Sequence, residues 1–392
     1  DNGDGTYSIT GQKLFITWGD HDVAENICHL VLARLPDAPE GTKGISLFMV
    51  PKFLPDADGN PGKANSLRTV SLEHKMGIHG SPTALMEFDG ATGLMIGEPN
   101  SGMAAMFTMM NNARLSVGMQ AVGTAEAAFQ KAAAYARDRK QGRTPVGDGS
   151  GGIIDHADVR RMLLTMKSRI TVARALCFDT AISLDMAKAI GEKAWAARGA
   201  LLTPVAKAFG TDSACEVADL GIQVHGGMGY IEETGAEQYL RDVRIARIYE
   251  GTNGIQAMDL VSRKLADGGE AARALLAEAE ETVDRLEQVN PDLAAAMRPA
   301  LDAMTEATGW MTAQSDFNDR FAGAVEYLRG FALTLGGHYL ARAALADTSD
   351  ADRMALLKFF VHHEMSQVAG LCSAATSGAS VLYLLDTDAF LT

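Results

Sequence analysis

Up to about residue 100, hydrophobic positions come in short runs separated by turn residues. Segments 7–11, 13–17, 29–33 and 44–50 are rich in β-branched and aromatic residues and read as strands. Asp-Gly, Pro-Gly and Gly-Asn pairs punctuate them. No helical pattern alternates with these strands, which argues against a doubly wound parallel sheet. The pattern changes at Asn100-Ser101-Gly102. Beyond it, apolar residues recur at three- and four-residue steps, as in Leu163, Met166, Ile170, Ala173 and Leu176. This spacing predicts long helices over about 102–140, 155–189 and 192–225, the last interrupted near 199–203. The stretch TPVGDGSGG at 144–152 reads as a flexible connector. A final Ala- and Leu-rich block, about 266–392, again reads as helical, with breaks at Asn290-Pro291, Gly336-Gly337 and 347–350. The expected fold class is α+β. A β-domain over 1–100 precedes a helical bundle over 101–265 and an additional all-helical domain over 266–392.

A chain of 392 residues is long for one core, in keeping with this division. The net charge of −14 makes nucleic acid a poor partner, because phosphate binding needs a basic footprint. The four cysteines, Cys28, Cys177, Cys215 and Cys372, form no CxxC pair and read as free thiols of a reducing, cytoplasmic compartment. The longest uncharged run, 365–385, contains Ser, Thr, Gln and Gly and reads as a buried helix rather than a membrane span. The opening DNGDGTYSITGQKLFIT has no initiator Met and begins in hairpin-like sequence, as if cut within a domain.

Four clusters carry candidate chemistry, each with a plainer alternative. In RDVRIARIYEGTNGIQ, at 241–256, a basic helix breaks at Tyr249-Glu250-Gly251 and restarts. A carboxylate at such a junction can serve as a general base, with the glycine letting backbone approach a ligand; it can equally be a solvated helix end. In QVHGGMGY, at 223–230, three glycines expose backbone N–H groups suited to a phosphate, or simply end a helix. In RDRKQGR, at 137–143, cations either bind a pyrophosphate or complement a helix dipole. In KLFITWG, at 13–19, Phe15 and Thr17 sit two apart on one strand face, able to stack on and hydrogen-bond a flat ring, or to be an ordinary strand. The methionines near 103–119 read as core, and His362-His363-Glu364 does not read as a metal site, since adjacent helical residues face different ways.

Taken in order, G-x-K-x-F-I-T, YARDRKQGR, QVHGGMGY and RDVRIARIYEGTNGIQ resemble the acyl-CoA dehydrogenases. The resemblance covers about 1–265. It implies an N-terminal helical domain, absent from this sequence, a middle β-domain of truncated barrel-like form and a C-terminal four-helix bundle. It also implies FAD as cofactor and an acyl-CoA as substrate. Electrons would pass to electron-transfer flavoprotein, or to oxygen in an oxidase of the same fold. Glu250 takes the place of the family's catalytic base, which removes the α-proton while a hydride leaves the β-carbon for flavin N5. Arg114 and Gly251 fall on the substrate side. Phe15 and Thr17 match flavin contacts, and Thr252 matches an adenine-side contact. Arg139, Gln223, Gly226 and Gly227 match residues that hold FAD across a subunit interface, which implies at least a homodimer. Asn112 and Ala113 leave no alternative carboxylate beside Arg114. Two departures stand out: Gln141-Gly142-Arg143 replaces the usual phenylalanine, and Gly254 replaces a common glutamine. The block 266–392, the stretch EHKMGIHGSPT at 73–83 and the long match through SRKL resemble the branch that oxidises 3-methylmercaptopropionyl-CoA in dimethylsulfoniopropionate breakdown. Other long-form members with short or medium straight-chain substrates are the alternative, as is an inactive fragment.

Overall fold

The computed structural model describes residues 1–391. The chain divides into two compact units, Asp1–Asn112 and Ala113–Thr392.

The first unit holds seven strands, β1 (Tyr7–Thr17), β2 (Cys28–Arg34), β3 (Ile45–Pro51), β4 (Phe53–Pro55), β5 (Pro61–Ala64), β6 (Leu67–Leu72) and β7 (Thr83–Ile96). All pairings are antiparallel. β7 is the spine, pairing with β1 and β6 through its first part and with β3 through Leu94–Ile96, while β2 pairs with β3. β4 and β5 form a separate two-stranded ribbon. Ile9, Val31, Phe48, Val50, Met86 and Phe88 form the core of the unit. The sequence pattern did not mark β7, because its alternation of buried and open positions breaks at Asp89-Gly90 and it carries Gly93 at a buried position. Gly90 has φ +70°. Gly93 lies where an added Cβ would come 2.9 Å from Val50, so close strand approach rather than a turn explains it. The two short strands expected at 7–11 and 13–17 are one strand with bulges.

In the second unit the long helices are α1 (Gly102–Asp138), which begins before the unit boundary, α2 (Ala157–Ile190) and α3 (Lys193–His225). Short α4 (Glu237–Val243) and α5 (Asn253–Asp259) follow, then α6 (Glu270–Glu287), α7 (Pro291–Ala313), α8 (Phe317–Ala322), α9 (Ala324–Ala346), α10 (Ala351–His363) and α11 (Val368–Ala375). α3 is buried on every side from Leu201 to Thr211, as expected of a helix at the centre of a bundle. It is not interrupted near 199–203. Gly199 is a packing residue there: a Cβ would meet Leu184 at 2.8 Å, and Thr203 Oγ1 donates to the Gly199 carbonyl. Gly336 and Gly337 likewise do not break α9. Each would drive a Cβ into a neighbour, Phe360 and Met365 respectively, so they record close helix contact.

The break at Asn290-Pro291 is present, with Asn290 capping α7 and Pro291 at its first position. The run 365–385 is not one buried helix. Only Val368–Ala375 is α-helical, and Val381 to Leu385 are exposed. Among the described residues no helix is long and apolar enough to cross a membrane. All four cysteines are free.

Candidate active site

α4 continues as a 3-10 turn over Arg244–Arg247 and then leaves helical geometry. Glu250 and Gly251 both adopt left-handed backbone, φ +56° and +84°. Thr252 then caps α5, its Oγ1 accepting from Ile255 N at 3.3 Å. A non-glycine residue held at positive φ is strained by about 1–2 kcal/mol and persists only where its surroundings fix it.

Those surroundings are specific. Gln256, fully buried, donates from Nε2 to the carbonyls of Glu250 and Gly251, both at 3.2 Å. Two carbonyl acceptors require the amide nitrogen, which fixes its orientation. From α3, Lys207 Nζ donates to the Gly251 carbonyl at 2.8 Å and to Asn253 Oδ1 at 2.9 Å. Asn253 Nδ2 in turn donates to Thr211 Oγ1 and Asp212 Oδ1, both at 2.9 Å. From α1, Gln120 Oε1 accepts from Tyr249 Oη at 2.6 Å. Arg114 is also on α1; a Cβ on Gly251 would lie 3.9 Å from its Nη2. Arg114 Nη1 pairs with Asp259 Oδ2 at 3.2 Å, and both side chains are buried. The result is a half-buried carboxylate on a rigid turn, with Ile248 and Ile255 exposed beside it.

The predicted residues fall into separate groups. Glu250, Gly251, Thr252 and Arg114 come together. Arg139, Gln223, Gly226 and Gly227 gather elsewhere. His225 stacks on Tyr135 with ring centroids 4.4 Å apart, which brings the C-terminal ends of α1 and α3 side by side. Arg139, whose N–H donates to the Tyr135 carbonyl, is exposed there, as are Gln223, Gly226 and Gly227. About 30 Å of helix separates Arg114 from Tyr135 along α1. Phe15 and Thr17 lie in the first unit. There the same-face argument fails, because Leu14 and Phe15 form a bulge opposite Leu85, and Phe15 has φ +60°. Thr17 and Trp18 line a cavity of about 520 Å³ with Lys13 and His29, whereas Phe15 projects from the bulge, 72% exposed.

A family model described as the acyl-CoA dehydrogenase C-terminal domain matches residues 100–266, and one described as acetyl-CoA dehydrogenase C-terminal like matches 271–386. The chain belongs to the acyl-CoA dehydrogenase family. It is 47% identical to 3-methylmercaptopropionyl-CoA dehydrogenase of Ruegeria pomeroyi over 88% of this chain and 60% of that protein. It is 35% identical to butyryl-CoA dehydrogenase of Syntrophomonas wolfei over 93% of this chain and 65% of that protein. The chain therefore spans less than two thirds of either relative's length. The crystal structure of an acyl-CoA dehydrogenase complexed with FAD from Bacillus anthracis superposes with a TM-score of 0.75. That likeness covers all of this chain and 66% of the other at 19% identity, and speaks to the fold.

The chain's own residues fit the FAD of this acyl-CoA dehydrogenase fold. Around the first unit's cavity, an exposed Trp18 ring and the Thr17 hydroxyl suit a flat ring with a polar edge. His29 Nε2, buried there, has no hydrogen-bond partner among the described residues. In the second unit, an added Cβ on Gly226 or Gly227 would meet nothing within 4 Å, so their backbone is open to an anion beside Arg139.

Sequence reasoning missed Lys207, Asn253, Gln256 and Asp259. Lys207 had a signal, as a lone cation in the apolar run LLTPVAKAFG. The other three lie within or just beyond the quoted motif; the partners of Asn253 and Asp259 are distant in sequence, and the Gln256 bonds to Glu250 and Gly251 exist only once the turn has folded. Gly251 gives a direct test of the turn. Gly251→Ala places Cβ 2.8 Å from Gln256 Nε2 at a φ that L-residues avoid. The expected cost is about 1–3 kcal/mol, read as a lower unfolding midpoint in denaturant; an unchanged midpoint would show the turn to be free to relax.

Proposed function

We propose that this protein carries out FAD-dependent α,β-dehydrogenation of an acyl-CoA thioester, giving a trans-2-enoyl-CoA, with Glu250 as the base. The observation that carries the reading is Glu250 itself: a carboxylate held in left-handed backbone by Gln256, at the family's base position. The Glu250 carboxylate takes the proton from the α-carbon, and the electron pair left behind forms the double bond as the β-hydrogen departs with its electrons. FAD, when bound, supplies the acceptor for that hydride. Among the described residues no backbone hydrogen bond takes up the Glu250 N–H, which would donate toward the thioester oxygen and so acidify the α-proton. The clamped turn keeps that donor and the carboxylate in fixed relation to one another.

For the substrate, the 47% identity to a 3-methylmercaptopropionyl-CoA dehydrogenase favours that sulfur-containing thioester. A short straight-chain acyl-CoA is the second reading, favoured by the likeness to a butyryl-CoA dehydrogenase. Electron-transfer flavoprotein is the proposed acceptor from reduced flavin. A homodimer or larger assembly is proposed because the Arg139–Gly226 group lies about 30 Å along α1 from the Arg114 end; a neighbouring copy's cofactor would use it. The test is bleaching of the oxidised flavin band in FAD-loaded protein on adding 3-methylmercaptopropionyl-CoA, butyryl-CoA or octanoyl-CoA. Fastest bleaching by the sulfur substrate is expected. Preference for a straight chain would overturn the substrate choice, and no bleaching by any of them would overturn the reaction.

A further inference from the structure

Lys207 is the one fully buried lysine among the described residues, and it bonds the backbone next to the proposed base rather than its carboxylate. Its Nζ meets two oxygens, the Gly251 carbonyl and Asn253 Oδ1, at 2.8 and 2.9 Å. An ammonium in an apolar helix core is costly unless such acceptors hold it. The hydrogen bonds run in one direction. Lys207 pulls on the carbonyl immediately after the base, Gln256 pulls on that carbonyl and on the base's own, and Asn253, which accepts from Lys207, ties the start of α5 to α3 through Thr211 and Asp212. With both carbonyls following Cα of Glu250 pinned, the left-handed pose is fixed from below. None of these bonds uses the Glu250 carboxylate or its N–H.

We infer that Lys207 is a positioning residue for the proposed reaction: its ammonium, through the Gly251 carbonyl, sets the pose of Glu250. This rests on the reading of Glu250 as base. The surrounding charges are accounted for on each element. Asp212 on α3 draws on Lys207 and is itself paired with Arg247. Arg114 on α1, paired with Asp259 of α5, opposes its charge, and Glu250 on the turn favours it. On α9, Arg329 is engaged by Glu216.

The geometry has a pH consequence. Burial, the largest cause, brings the Lys207 ammonium down to about 8, with Arg114 adding to the shift. Above that pH the amine is neutral and a weaker donor to both oxygens, so turnover should fall as pH rises through about 8. Stability moves the other way. The unfolded chain still binds the proton between about 8 and the ordinary lysine value, so this group's contribution to stability rises with pH across that window. Alkaline loss of turnover would therefore not be alkaline unfolding at this site.

The experiment compares FAD-loaded wild type, Lys207→Met, Lys207→Arg and Glu250→Gln. It measures kcat and KM from pH 6 to 10, and hydrogen–deuterium exchange of the peptide spanning 248–256. Lys207→Met should lower kcat about 100-fold with little change in KM, the scale expected when a reacting group is misplaced by an ångström or so. It should also speed exchange in that peptide. Lys207→Arg, charged at every pH tested, should recover part of kcat and lose the fall above about 8. Wild-type kcat and exchange in Lys207→Met, with Glu250→Gln inactive, would overturn the role of Lys207 and leave the base standing. An active Glu250→Gln would instead overturn the base. If Lys207→Met does not fold, Lys207→Arg decides: the same alkaline fall as wild type would overturn the inference.

Discussion

Glu250→Gln in FAD-loaded protein is expected to slow substrate-dependent flavin bleaching by a factor on the order of 10³ to 10⁴. The carboxamide matches the carboxylate in shape but cannot accept the α-proton. Glu250 reaches its pose through backbone carbonyl bonds from Gln256, and its Gly251 neighbour through Lys207, none of which uses the Glu250 side chain. The variant should therefore fold and hold FAD like wild type, and melting temperature and flavin content are the controls. Bleaching at the wild-type rate would mean that another group removes the proton. Loss of flavin together with activity would place Glu250 in cofactor binding instead.

Asp259→Ala is expected to be the most destabilising single change near the site. Its carboxylate is buried, with 2% of the side chain exposed, and accepts from Arg114 and from Arg263 Nε at 2.5 Å. Arg114 is equally buried, at 4%. Removing one partner of a buried ion pair costs about 3–5 kcal/mol, because the other charge keeps its desolvation penalty. For a helical unit of this size that is a fall in melting temperature on the order of 10 °C. Arg263→Ala is the contrast. Its side chain is 58% exposed, so solvent already screens its attraction to the same carboxylate and less than about 1 kcal/mol should be lost. Equal losses from the two variants would mean that burial does not govern this pair. Because Arg114 lies beside Gly251, Asp259→Ala should also lower turnover in whatever fraction stays folded.

The sequence by itself determined the order of β and helical segments, the extents of α1, α2 and α3 to within a few residues, and the position of Glu250 at a helical break. These are local matters. Apolar periodicity, glycine and capping residues act over a few positions, so they can be read from the chain. Tertiary structure decided what depends on partners far away. Whether Gly199, Gly336 and Gly337 end a helix or admit a neighbour depends on Leu184, Phe360 and Met365, which no local window contains. β7 could not be read because its alternation breaks at Asp89-Gly90, where the register with β1 shifts, and because a glycine, Gly93, stands at a buried position. The bulge that turns Phe15 out of register with Thr17 is set by pairing with β7, not by the KLFIT sequence. In the site, the motif placed Glu250, Gly251 and Thr252 together because they are adjacent. Folding supplied Lys207 from α3 and Arg114 from α1. A hydrogen bond between residues 44 apart leaves no trace in spacing, only a lysine that looks out of place in an apolar helix until its acceptor is known.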